Sequence, residues 1–147
     1  MRKKGAISQI AKDRNKDLYE NYCRLTKRHL SLYGRISKTL ILRQLVNSQA
    51  KRYWLSSERA YSVISQIRRG TLDVKPDRTI CRLYYALYDE FVKYKEENPT
   101  MPDTRIMEEV IQMPAPCFGL EPRVADIIIK RISKQCQREK IRRLSIQ

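Results

Sequence analysis

Sliding the chain along itself by 65 residues, without a gap, lays residues 17–69 onto 82–134. Leu18-Tyr19 falls on Leu83-Tyr84, Thr39 on Thr104, Ile41 on Ile106, Ala50 on Ala115 and Leu55 on Leu120. Ala60, Ile64 and Ile67 fall on Ala125, Ile129 and Ile132. Similar residues fill the intervals: Leu42 with Met107, Leu45-Val46 with Val110-Ile111, Tyr53 with Phe118, and Val63 with Ile128. Nine identities in 53 positions are few, but they occupy apolar and turn positions, where a repeated fold has to agree with itself. The pattern predicts an all-α chain of two tandem three-helix units, 1–70 and 78–147, joined by a short polar linker at 71–77 that contains Pro76.

Within the first unit, Leu18, Tyr22, Leu25 and Leu32 recur at helical spacing, with Ile7, Ile10 and Ala11 extending the stripe backward and Gly34 ending it. Ser37 is placed to cap a second helix buried through Ile41, Leu42, Leu45 and Val46. A loop over about 47–55 leads to Ser56, the cap of a third helix that ends at Gly70. The second unit repeats this order over Leu83–Asn98, Asp103–Gln112 and Pro122 onward. Pro122 stands where Ser57 does, at a first helical position whose N–H has no partner to lose. The stretch from Ser133 is basic and continues the last helix.

The composition fits such helices. Only 4 Gly and 6 Pro occur in 147 residues, too few for a fold of many tight turns, and 41% apolar residues argue against wholesale disorder. Cys23, Cys81, Cys117 and Cys136 are scattered and His29 is the single histidine, so no metal or other cofactor is expected. The cysteines read as small buried side chains of a reducing compartment. No signal-peptide core follows Met1-Arg2-Lys3-Lys4 and no run approaches a membrane span, which makes a cytoplasmic location the expectation.

Charge carries the functional argument. Thirty-one Lys and Arg against 16 acids give a net charge of +15, and a balance this basic favours an acidic partner, nucleic acid before all others. Residues 1–70 hold +13, residues 71–128 hold −4 and residues 129–147 hold +6. On the third helix, Ala60, Val63, Ile64 and Ile67 face one way, leaving Arg59, Tyr61, Ser62, Ser65, Gln66 and Arg69 on the other sides, with Ser57 and Arg68 at the ends. Such a face suits insertion into a major groove, where Gln and Arg read base edges and hydroxyls bond phosphates. Lys38, Lys51 and Arg52 would hold phosphates, Trp54 would stack or wedge, and Tyr53 and Leu55 would plug the core. Arg2, Lys3 and Lys4 suggest a basic arm, and Lys130, Arg131, Lys134 and Arg138 a secondary contact.

Residues Ser37–Arg69, and more faintly Asp103–Lys134, resemble helix-turn-helix DNA-binding proteins. The resemblance implies that Ser57–Arg69 is the recognition helix and Ser37–Val46 its support. The chain departs from that family in its loop of about nine residues, where the family has three or four. The tandem arrangement is similar to small regulators and packaging or recombination accessories of bacterial phages and mobile elements.

Catalysis has no such pattern behind it: there is no Gly-rich phosphate loop, no H-E-x-x-H, and His29 lacks a nucleophile nearby. The expectation is a non-enzymatic protein that binds nucleic acid, duplex DNA before RNA. Two other classes compete: an RNA-binding subunit that stacks bases on Trp54, Tyr53 and Tyr61, and an adaptor docking through the acidic second unit and Ile127.

Overall fold

The computed structural model describes residues 8–145, which form six helices and no strand. They are α1 (Gln9–Tyr33), α2 (Lys38–Val46), α3 (Ser57–Arg69), α4 (Thr79–Glu97), α5 (Asp103–Val110) and α6 (Pro122–Ser145). No helix among the described residues is long and apolar enough to cross a membrane. Local chemistry sets the boundaries. Ser8 Oγ accepts from Ala11 N and Ser56 Oγ accepts from Arg59 N, each satisfying a donor that the first turn leaves without a partner. Gly34 and Gly70 close α1 and α3 in the left-handed region, with φ of 70° and 69°. Ser37 occupies the cap position of α2 without making the side-chain bond.

The helices do not group in sequential threes. α3 packs on α4 and α5, whereas α6 packs on α1 and α2. Each three-helix body therefore borrows its last helix from the other half of the chain. This differs from self-contained units at 1–70 and 78–147, and the loops supply the physical reason. Segments 47–56 and 111–121 cross antiparallel at the centre of the molecule. Ala50 N donates to Ala115 O at 3.0 Å, and Ala115 N donates back to Ala50 O at 3.1 Å. Tyr53 N donates to Ile111 O at 3.0 Å, and Phe118 N donates to Val46 O at 3.1 Å. Shifting either partner of these bonds by 65 residues reproduces the other bond of its pair. Buried backbone groups need partners, and each loop supplies those of the other. Having crossed, each loop delivers its helix onto the opposite body.

One continuous core results. Leu18, Leu45, Val46 and Ala60 join Leu87, Phe91, Ile106, Val110 and Ala125 in a single buried cluster, with Tyr53 and Phe118 from the crossing loops in it. Burial, with help from the nearby Glu90 and Asp89 charges, pushes the Tyr53 phenol up to about 12. Tyr53 and Leu55 thus fill the core side of the loop as expected, Leu55 only partly buried. Leu32 is a correction: it is 61% exposed, because the buried face of α1 ends at His29. Cys81 and Cys117 are buried and Cys23 and Cys136 half-buried, all as free thiols, and no metal-ligating cluster occurs among the described residues.

Candidate nucleic-acid interface

The loop preceding α3 is tied to α1 by polar side chains that the core encloses. Asp17, 3% exposed, accepts from Lys51 N and from Trp54 Nε1, both on Oδ2 at 2.9 Å. One turn on, Asn21 Nδ2 donates to Gln49 O at 3.1 Å. His29 Nε2 lies 2.8 Å from Gln44 Oε1. Arg52 donates to the carbonyls of Tyr53 and Leu55, each at 3.1 Å, and its guanidinium lies 5.1 Å from the centre of the Trp54 ring. Lys51 Nζ pairs with Glu20 at 2.9 Å. Of the three side chains read as a phosphate clamp and a stacking wedge, Arg52 and Trp54 are engaged within the fold, while Lys51 is paired with Glu20 at the exposed surface. Replacing Asp17 with alanine leaves two donors unsatisfied and is expected to cost about 2–4 kcal/mol. Chemical denaturation measures this; a loss below about 1 kcal/mol would contradict the anchoring role.

α3 presents its apolar side as the periodicity requires, with Ala60, Val63 and Ile64 buried. Two of its three basic residues, however, contact the neighbouring helices. Arg59 Nη2 donates to Tyr84 Oη at 3.2 Å, with the guanidinium 5.7 Å from that ring. Arg68 lies 5.0 Å from the Phe91 ring and 3.8 Å from Asp103. Gln66 donates to Ser62 Oγ, and Arg69 reaches back to Ser65 O. Tyr61 is exposed and Ser57 half-buried, both beside Glu58 and Glu108. Lys38 stands on the other body, paired with Asp126 of α6 at 2.9 Å, and Lys130 reaches the same carboxylate at 3.1 Å. These two cations hold the Asp126 carboxyl below its ordinary value. The expected phosphate contacts are thus divided: Lys51 and Arg52 stand in the loop before α3, and Lys38 stands against α6.

A different basic surface is assembled by the exchange of helices. α1, α2 and α6 carry sixteen Lys and Arg against five acids, whereas α3, α4 and α5 carry seven against eight. Between α1 and α6 runs a groove of about 780 Å³ lined by Lys12, Asn15, Lys16 and Tyr19 on one side and Ile128, Arg131, Ile132, Gln135, Cys136 and Glu139 on the other. Beside it, Arg14 donates twice to Asn15 Oδ1, and its partial burial lowers its pKa. Lys134 and Arg138 are exposed between the lining positions on α6. Among the described residues, six cations of α1 and seven of α6 have no carboxylate within 4.0 Å. On α1 these are Lys12, Arg14, Lys16, Arg24, Lys27 and Arg28. On α6 they are Arg123, Arg131, Lys134, Arg138, Lys140, Arg142 and Arg143.

Of these cations, the sequence singles out Arg131, Lys134 and Arg138 as candidates for a secondary contact, and Lys12, Arg14 and Lys16 are not among its candidates. The signal was present in the charge of the two terminal segments, but nothing in one dimension brings those segments together. Arg2, Lys3 and Lys4, read as a basic arm, lie outside the described residues. Comparison with protein-family models, curated proteins and solved structures finds no match to this chain.

Proposed function

We propose that the chain binds nucleic acid without chemistry of its own, holding the phosphate backbone of a duplex along α1 and α6. The observation that carries this reading is the concentration of cations without carboxylate partners on two helices packed against each other. Such cations can release the counterions that phosphates condense, which is the main source of sequence-independent affinity. With 24 residues, α6 is about 36 Å long, close to one turn of B-form DNA. Asn15 and Gln135 add neutral hydrogen-bonding groups to the groove between the cations. The base-stacking alternative is weakened because Trp54 is bonded to Asp17 and overlaid by Arg52.

Two triple variants separate the helices. Lys12→Ala, Lys16→Ala and Arg131→Ala together are expected to weaken duplex binding and to reduce the slope of log affinity against log salt by about 2.7, at about 0.9 per phosphate contact. Arg59→Ala, Gln66→Ala and Arg69→Ala together are expected to leave that slope unchanged. Fluorescence anisotropy with duplex DNA and with structured RNA, across a salt series, reads both. The reverse ranking of the triples would restore α3 as the binding helix. A wild-type chain that binds neither polymer at low salt would end the nucleic-acid reading.

A further inference from the structure

We infer that copies of this chain associate head to tail, the α2–α6 face of one seating on the α3–α5 face of the next. The α3–α5 face holds an apolar groove of about 390 Å³ lined by Ser57, Glu58, Tyr61, Thr104, Met107 and Glu108. Tyr61 is 45% exposed there, and Glu58 and Glu108 are the only charged groups on the lining. The same pairing of a last helix with a second helix occurs once more, between α6 and α2. At the 65-residue offset, Arg123 replaces Glu58 and Arg43 replaces Glu108. Both acids and both arginines are exposed. The two equivalent faces therefore carry opposite charge at equivalent places.

Ile127, one turn from Arg123 on α6, is 45% exposed and stands at the offset of Ser62. Where Tyr61 lies in the groove, the basic face carries Asp126, held by Lys38 and Lys130. A face with an arginine rim and an exposed aliphatic side chain complements an apolar groove with a glutamate rim. The apolar contact supplies affinity, while the charges select partner and orientation. Pairing each face with the other sets Glu58 and Glu108 against Arg43 and Arg123, which favours a heterologous contact over a twofold one. A second copy is the partner that necessarily supplies both halves of this match.

The test needs no nucleic acid and so stands apart from the binding experiments. Sedimentation velocity over a concentration series at low salt is expected to show wild-type assemblies that grow with concentration. Reversing one face, either with Glu58→Arg and Glu108→Arg or with Arg43→Glu and Arg123→Glu, is expected to weaken self-association about tenfold or more. Circular dichroism should show unchanged helix content in both variants, since all four side chains are exposed. An equimolar mixture of the two variants is expected to associate again, because each then meets a face of opposite sign. A wild type that stays monomeric throughout overturns the inference. So does self-association that survives either reversal, or a mixture that behaves as the sum of its parts.

Discussion

A fragment ending at residue 75 is expected to show no cooperative thermal transition as a monomer, although it contains a whole copy of the repeated pattern. In the intact chain, α3 buries Ala60, Val63 and Ile64 on α4 and α5, so the fragment lacks the surface that its third helix covers. α1 and α2 in turn lack α6, with its buried Ala125, Ile128 and Ile129. A chain of that length has little core to lose before its conformational entropy prevails. Circular dichroism on heating, with mass measured in solution, reads the outcome. Adding the complementary fragment from residue 76 onward is expected to restore helicity and a single transition. A monomeric 1–75 fragment that melts cooperatively would mean that α3 can fold back onto α1 and α2.

The second large effect is expected at Gly119. This residue has φ of 69°, and a Cβ built on it would lie 2.6 Å from Leu83 Cδ2 and 3.3 Å from Leu83 Cβ. Gly119→Ala therefore meets two penalties. The left-handed conformation costs about 1–2 kcal/mol for a residue with a Cβ, and crowding of a packed core adds about 1–3 kcal/mol. Gly34 separates the two terms, because its φ is 70° and nothing lies within 4 Å of its Cβ position. Gly34→Ala should lose only the conformational part. Urea denaturation of both variants tests the difference; equal losses would remove the steric account of Gly119. Trp54 stands at the same place in the first half, where Asp17 accepts its indole N–H. Each loop is thus pinned beside the equivalent helix by different chemistry, a close approach in one and a buried carboxylate in the other.

The elements were legible because their signals are local. Ser56, Gly34 and Gly70 mark ends that depend only on neighbouring backbone groups, and the spacing of Ala60, Val63 and Ile64 needs only helical geometry. Partnership was not legible, and the repeat is the reason. Ile64 and Ile129 stand at equivalent places in the same apolar spacing, so periodicity alone does not say which pair of helices each one covers. The long loop before α3, unlike the short turn of helix-turn-helix proteins, was the one trace of the crossing. The candidate site was displaced by the same ambiguity. Summing charge over 1–70 assigned the basic surface to α3, whereas in space the cations of α6 join those of α1. Arg59 and Arg68 counted as free cations in the sequence, but Tyr84, Phe91 and Asp103 take them up.

The crossed arrangement also sets the order of events while the chain is being made. α1 and α2 leave the ribosome early, yet the helix that covers them is the last to emerge. At roughly 5–20 residues per second, the interval between Val46 and Pro122 takes roughly 4–15 s. Throughout that time Leu18, Ile41 and Leu45 have no permanent neighbour on one side. α4 and α5 face no such delay, since α3 precedes them. The second body can therefore close first and act as the platform on which the first is completed.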